Sequence, residues 1–134
     1  MPEIDRRLAT ALTRGLAAQQ AGRLDEAATL YRSVLAEAPD QFDALHLLGV
    51  VEAQKGLHES ARELIARALA TGPGTPQAWC NHGNVLQCLG RFEEALASYD
   101  RALALDPRSL GALHQRANAA LQGHRAAEAL AGYD

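Results

Sequence analysis

Apolar residues recur along this chain at helical spacing, and the spacing resets at regular intervals. Leu45, Leu48 and Val51 mark one stripe, and Leu57, Ala61, Leu64, Ile65, Ala68 and Leu69 mark the next. Steps of three and four residues place each set on one face of an α-helix. Between the stripes lies Lys55-Gly56-Leu57, matched by Ala21-Gly22-Arg23 and Leu89-Gly90-Arg91. A glycine there closes the first helix of a pair, because it takes a left-handed backbone cheaply. Pro39, Pro73 and Pro107 close the second helix, since proline cannot continue one. The pattern predicts helix pairs over about 3–21 with 24–37, 41–55 with 58–71, and 75–89 with 92–105. A last pair is expected as a helix over about 109–122 and a partial helix from about 126.

The three prolines stand 34 residues apart. The same step joins Ala27, Ala61, Ala95 and Ala129, and also Tyr31, Ile65, Tyr99 and Tyr133. It joins Gly22, Gly56 and Gly90, with His124 in the fourth place and Gly123 beside it. A second small column reads Gly15, Gly49, Gly83 and Ala117. Small residues at these places let paired helices approach closely, and Tyr31, Ile65 and Tyr99 are the large partners that fill the remaining space. The segment from Thr71 to Pro76 is rich in Gly and Pro, yet the register passes through it without insertion. It is expected to be a turn between repeats inside one continuous stack.

Repeats of this length resemble the tetratricopeptide repeat, a helix-turn-helix unit with a W-x₂-L-G-x₂-Y, A-x₃-F and P signature. The third unit carries it best, with Trp79, Gly83, Gly90, Ala95, Tyr99 and Pro107. The second shows Leu45, Leu48, Gly49, Gly56, Ala61, Ile65 and Pro73, while the first and fourth put Arg14 and Arg116 where a leucine is usual. The resemblance implies an all-α fold: a right-handed superhelical solenoid of antiparallel helix pairs. It would form one array of three full repeats, about 8–41, 42–75 and 76–109, plus an incomplete fourth over about 110–134. Ala127-Glu128-Ala129-Leu130 repeats the wording of Glu93-Glu94-Ala95-Leu96 with one change, so the chain reads as cut within a second helix. Its apolar residues Leu113, Leu121, Leu130 and Tyr133 are then expected to support a homo-oligomer through that repeat, because a solenoid end needs a cover. Similar repeats stand ahead of catalytic domains in bacterial proteins, and these segments resemble the repeat arms of O-GlcNAc-transferase-like glycosyltransferases.

Composition narrows the class. The apolar share of 48% and charged share of 22% suit a folded domain. A formal charge of −3 disfavours a nucleic-acid partner. No apolar run approaches the roughly 20 residues of a membrane span, so a cytoplasmic protein without a membrane partner is expected. Cys80 and Cys88 are eight residues apart on one predicted helix, about 12 Å of rise, too far for a disulfide. Cys88 is read as a small buried or half-buried apolar residue.

Candidate chemistry lies on the first helices, which line the concave groove of such a stack. Helical faces turn Leu12, His46, Cys80 and His114 inward, then Leu16, Val50, Asn84 and Asn118, with Thr13, Leu47, Asn81 and Gln115 beside them, and Gln19, Ala53, Gln87 and Leu121 further along. Asn81, Asn84, Gln87, Gln115 and Asn118, with His46 and His114, form the candidate peptide-binding groove. Amides offer both donors and acceptors to a peptide backbone irrespective of its sequence, and similar asparagines line the arms of the glycosyltransferases. The resemblance also implies a test for a carboxylate clamp, which needs lysines and arginines on the inner columns. Leu12, His46, Cys80 and His114 supply no fixed positive charge, so a clamp is not expected. His46 and His114 lie two repeats apart, too far for one metal with bonds of roughly 2 Å. No acid–base or nucleophilic constellation stands out. The expected function is a non-enzymatic scaffold for a protein or peptide partner, with no cofactor and no metal. The alternatives are the substrate-recognition arm of a larger glycosyltransferase-like enzyme, or a self-associating assembly module.

Overall fold

Three glycines set the local architecture. Gly22, Gly56 and Gly90 take φ of 82°, 84° and 75°, the left-handed region where a side chain is costly. Each turn closes with the same two bonds. The amide of the glycine donates three residues back, as Gly56 N to Ala53 O at 3.0 Å, and the next amide donates five back, as Leu57 N to Glu52 O at 2.8 Å. This arrangement satisfies the orphan carbonyls at a helix end. In the computed structural model, which describes residues 2–132, all regular elements among the described residues are helices.

The chain divides into two compact units, residues 1–73 and 74–134, and the division falls within the Thr71–Pro76 segment. The first unit holds α1 (Pro2–Gln20), α2 (Leu24–Glu37), α3 (Phe42–Gln54) and α4 (His58–Leu69). Helices α1 with α2 and α3 with α4 form the antiparallel pairs expected, and α2 packs on α3. Its core joins Ala18, Ala27, Ala28, Tyr31, Leu48 and Val51. Charge pins α2 to α3 at the margin: Arg32 meets the buried Glu52 at 2.9 Å, and Lys55 meets Asp25 at 2.8 Å. The second unit holds α5 (Pro76–Cys88), α6 (Phe92–Leu105) and α7 (Leu110–Gly132). Its core joins Cys80, Leu86, Ala95, Tyr99, Ala102, Ala112 and Ala119.

The small column works as the spacing predicts. A Cβ built on Gly15 or Gly83 would lie 2.6 Å from the ring of Tyr31 or Tyr99, and one on Gly49 would lie 2.6 Å from Ile65. Those distances are far inside van der Waals contact, so the glycines are required by the packing. The starts of the first helices carry a further column that the sequence pattern had not singled out. Gln41, Thr75 and Ser109 accept from the amides of Ala44, Ala78 and Ala112 at 2.6, 3.1 and 3.2 Å, each capping a helix N-terminus.

The fourth repeat departs from expectation. In place of a helix, a turn near Gly123 and a second helix from 126, α7 runs unbroken for 23 residues. The residue at the turn position is His124, for which a left-handed backbone costs roughly 1–2 kcal/mol. Gly123 stays helical and lies under Phe92, where a Cβ would come within 3.1 Å of the Phe92 Cβ. Tyr133 of the large-residue column lies outside the described residues. Cys88 is also corrected: both cysteines are free, Cys80 buried but Cys88 exposed. Its column of Gln20, Gln54 and Gln122 is exposed throughout.

Candidate functional site

All of the expected groove residues except His46 lie on α5 and α7. Asn81, Asn84, Gln87, Gln115 and Asn118 are half-buried and His114 is exposed. The side-chain amides of Asn81, Asn84 and Gln87 are held by hydrogen bonds. The Tyr99 hydroxyl donates to Asn84 Oδ1 at 2.7 Å, and Gln87 Nε2 donates to the Gln115 carbonyl at 3.1 Å. Gln77 Nε2 donates to Asn81 Oδ1 at 3.1 Å. Gln87 therefore ties α5 to α7, while Tyr99, buried in the core, orients Asn84 from behind. Burial pushes the Tyr99 hydroxyl far above the usual tyrosine range, which keeps it a proton donor. With one lone pair of Asn84 Oδ1 occupied by Tyr99, the amide keeps its two N–H donors and a second acceptor lone pair.

The first unit builds the same device with different residues. The Tyr31 hydroxyl donates to Gln19 Oε1 at 2.9 Å, and Gln19 Nε2 donates to Gln54 Oε1 at 3.0 Å. Gln19 shares its column with Gln87, and here one glutamine both receives the tyrosine and bridges first helices. Gln54 and Gln77 were missed because each sits off the inner columns that helical counting selects. A glutamine side chain reaches across such a gap.

His46 lies on α3 in the first unit. It is buried, with its ring 5.8 Å from that of Phe42. Burial pushes its pKa below the ordinary value, against a weaker upward pull from Asp43. Cys80, on the same column, is likewise buried, and its thiol is pushed up by desolvation. Leu12, Leu47, Val50 and Ala53 are half-buried, whereas Thr13, Leu16 and Leu121 are exposed. Among the described residues, no group of three or more His, Cys, Asp or Glu side chains is placed to hold a metal ion. No helix among them is long and apolar enough to cross a membrane.

The period, glycine turns and paired helices agree with two family models, both described as tetratricopeptide repeat, that match residues 12–76 and 76–109. The chain belongs to the tetratricopeptide-repeat family. A curated relative, human tetratricopeptide repeat protein 7A, is 32% identical over 83 residues, covering 62% of this chain and 10% of that protein. Among solved structures, an O-GlcNAc transferase variant from Thermobaculum terrenum superposes with a TM-score of 0.83 at 32% identity, covering 87% of this chain and 22% of the transferase. The first tetratricopeptide repeat domain of Spaghetti, bound to an HSP90 peptide, superposes with a TM-score of 0.83 at 19% identity, covering 87% of this chain and 92% of that one. That last likeness concerns the fold alone. As a tetratricopeptide-repeat protein, this chain has a protein-interaction role.

Proposed function

We propose that this repeat module binds an extended peptide segment of a partner protein along the amide-bearing face of α5 and α7, and that its role is binding rather than catalysis. The observation that carries this reading is the anchoring of Asn84 by Tyr99 and of Gln87 by the Gln115 carbonyl. Amides held in place before a ligand arrives lose little side-chain entropy on binding, which favours affinity. Donors and acceptors in such a row suit a peptide backbone. The columns of Leu12, His46, Cys80 and His114 contain neither lysine nor arginine, so recognition is not expected to depend on a terminal carboxylate.

A peptide array, in which each peptide is present with a free and an amidated C-terminus, tests this. The intact chain should retain a set of peptides in both forms, and the Asn81→Ala, Asn118→Ala double variant should lose them with unchanged circular dichroism. Undiminished retention by the variant would move the binding surface elsewhere.

A second reading is favoured by the 32% identity to the Thermobaculum transferase structure: the module serves as the substrate-holding arm of a larger glycosyltransferase. The chain corresponds to 22% of that protein, so the two readings share one binding face and differ in what is attached to it. Continuation of the reading frame into a transferase domain decides between them. Self-association through α7 is a third reading; on that helix Leu110, Leu113, Leu121 and Leu130 are exposed.

A further inference from the structure

One position in the first unit departs from what the repeat requires. The column of Glu52 also holds Ala18 and Leu86, which are buried and apolar. Glu52 is itself buried, and its carboxylate meets Nη2 of Arg32 at 2.9 Å. Taking a carboxylate out of water costs free energy that an alanine or leucine in that place avoids. Helix packing therefore does not account for the pair. Its effect is on Arg32, whose side chain is still 58% exposed. One nitrogen of the guanidinium is held, and further N–H donors remain open to a ligand.

Arg32 and Glu52 line an open groove of about 250 Å³ formed by α2, α3 and α4. Leu48 and Leu64 give it an apolar strip, and Glu63 and Arg67 stand on its α4 side. The charges in this groove are unevenly matched. Glu52 has Arg32 at 2.9 Å, and Glu63 has Arg62 at 3.9 Å. Arg67 is paired to no carboxylate among the described residues; its guanidinium meets only the Pro39 carbonyl, at 3.4 Å. The equivalent arginine of the third repeat, Arg101, lies over the ring of Trp79 at 4.8 Å. In the second repeat the place of Trp79 is taken by Leu45, so Arg67 has no such ring to cover. The unmatched charge in the groove is positive and lies beside aliphatic side chains.

We infer that this groove is a second docking site, which takes an acidic side chain and an adjoining aliphatic side chain of a partner protein. The carboxylate pairs with Arg67, a geometry for which the planar guanidinium is suited. The aliphatic neighbour packs on Leu64 over Leu48, and Arg32 offers donors to the backbone carbonyls of the same segment. A basic side chain fits less well, because each carboxylate of the groove already has a guanidinium within reach. A phosphate fits less well too, since it brings close to two negative charges towards Glu52 and Glu63. The site lies wholly in the first unit and uses none of the amides of α5 and α7.

An array of heptapeptides tests the proposal. Each carries Leu-Glu-Leu at its centre between varied flanks, beside versions with Gln, Lys or phosphoserine in place of the Glu. The chain should retain a set of the Glu peptides and hold their Gln versions roughly tenfold more weakly, the effect of one lost charge-assisted bond. Arg67→Gln should weaken the Glu peptides to the same extent and erase the preference for Glu over Gln. Its circular dichroism should not change, because Arg67 is exposed. The Glu52→Leu, Arg32→Gln double variant, which gives α3 the residue type of Leu86, should fold and also bind weakly. Asn81→Ala with Asn118→Ala should leave this binding intact, which separates the groove from the amide face. Retention of no Glu peptide, or equal retention by the Arg67→Gln chain, would overturn the proposal. Tighter retention of the Lys or phosphoserine versions would overturn the choice of a carboxylate.

Discussion

The third repeat and α7 start from nearly the same words and end as different objects. Glu94-Ala95-Leu96-Ala97 on α6 and Glu128-Ala129-Leu130-Ala131 on α7 are identical in sequence. Ala95 is fully buried in the second unit's core, whereas Ala129 is exposed on a helix that never turned. The difference lies upstream of both segments. Gly90 adopts φ of 75° and releases the chain to fold back, while His124 continues the helix. A repeat's second helix owes its burial to the turn that returns it, and its own composition does not suffice.

Large residues introduced on matched positions test this most severely. Gly83→Leu should cost about 3 kcal/mol in urea unfolding of the second unit, because Tyr99 occupies the space and is itself fully enclosed. Ala117→Leu, at the matching place on α7, should stay within about 0.5 kcal/mol for the single copy. Equal losses would mean that α7 is covered in solution within one molecule. The alanine column gives a parallel and smaller contrast. Ala95→Leu should destabilise by roughly 1–3 kcal/mol, with Ala129→Leu near neutral in dilute solution.

A change on the amide face comes next in size. Asn84→Ala leaves the hydroxyl of the enclosed Tyr99 without its acceptor, a loss of about 1–2 kcal/mol in chemical denaturation. Helical counting alone places Asn84 on the open groove, where the substitution would stay within about 0.5 kcal/mol. Asn118→Ala, its equivalent on α7, should show the silent behaviour. If both behave alike, the tyrosine–amide bond contributes nothing measurable.

The smallest effect concerns pH. Burial holds His46 below its ordinary value of 6.5, so the unfolded chain takes up that proton first. The stability owed to a neutral His46 is whole above that value and is lost as the pH falls from there through the lower folded one. Thermal melts should therefore show a modest fall in Tm on acidification, removed by His46→Leu. His114→Leu, on the same column of α7 but exposed, should leave the profile unchanged. An acid-induced fall that persists in His46→Leu would assign it to the carboxylates, such as Asp25, which Lys55 holds below the usual range.

The paired helices were legible because their signals are local and repeated. The glycine turns, the proline stops and the Gly15/Tyr31, Gly49/Ile65 and Gly83/Tyr99 couples recur at one period, and each has a steric reason that holds wherever the fold places it. The helix-capping column was less legible, since Gln41 belongs to it beside Thr75 and Ser109 and glutamine is not a usual cap. On the amide face, residue types and helix were readable, but their bonding was not. That Tyr99 reaches Asn84 while Tyr31 reaches Gln19 depends on side-chain reach across packed helices.

What the sequence determined by itself is the repeat: its length, its small and large columns, and the helices those columns require. Periodicity reports on contacts made over short distances along the chain, so it survives without any knowledge of the whole. Only the tertiary structure decided which copies of a column are sealed and which stand open. Burial is a property of the partner as much as of the residue. Gly83 and Ala117, or Ala95 and Ala129, are equivalent letters whose fates diverge because one second helix folds back and the other runs on.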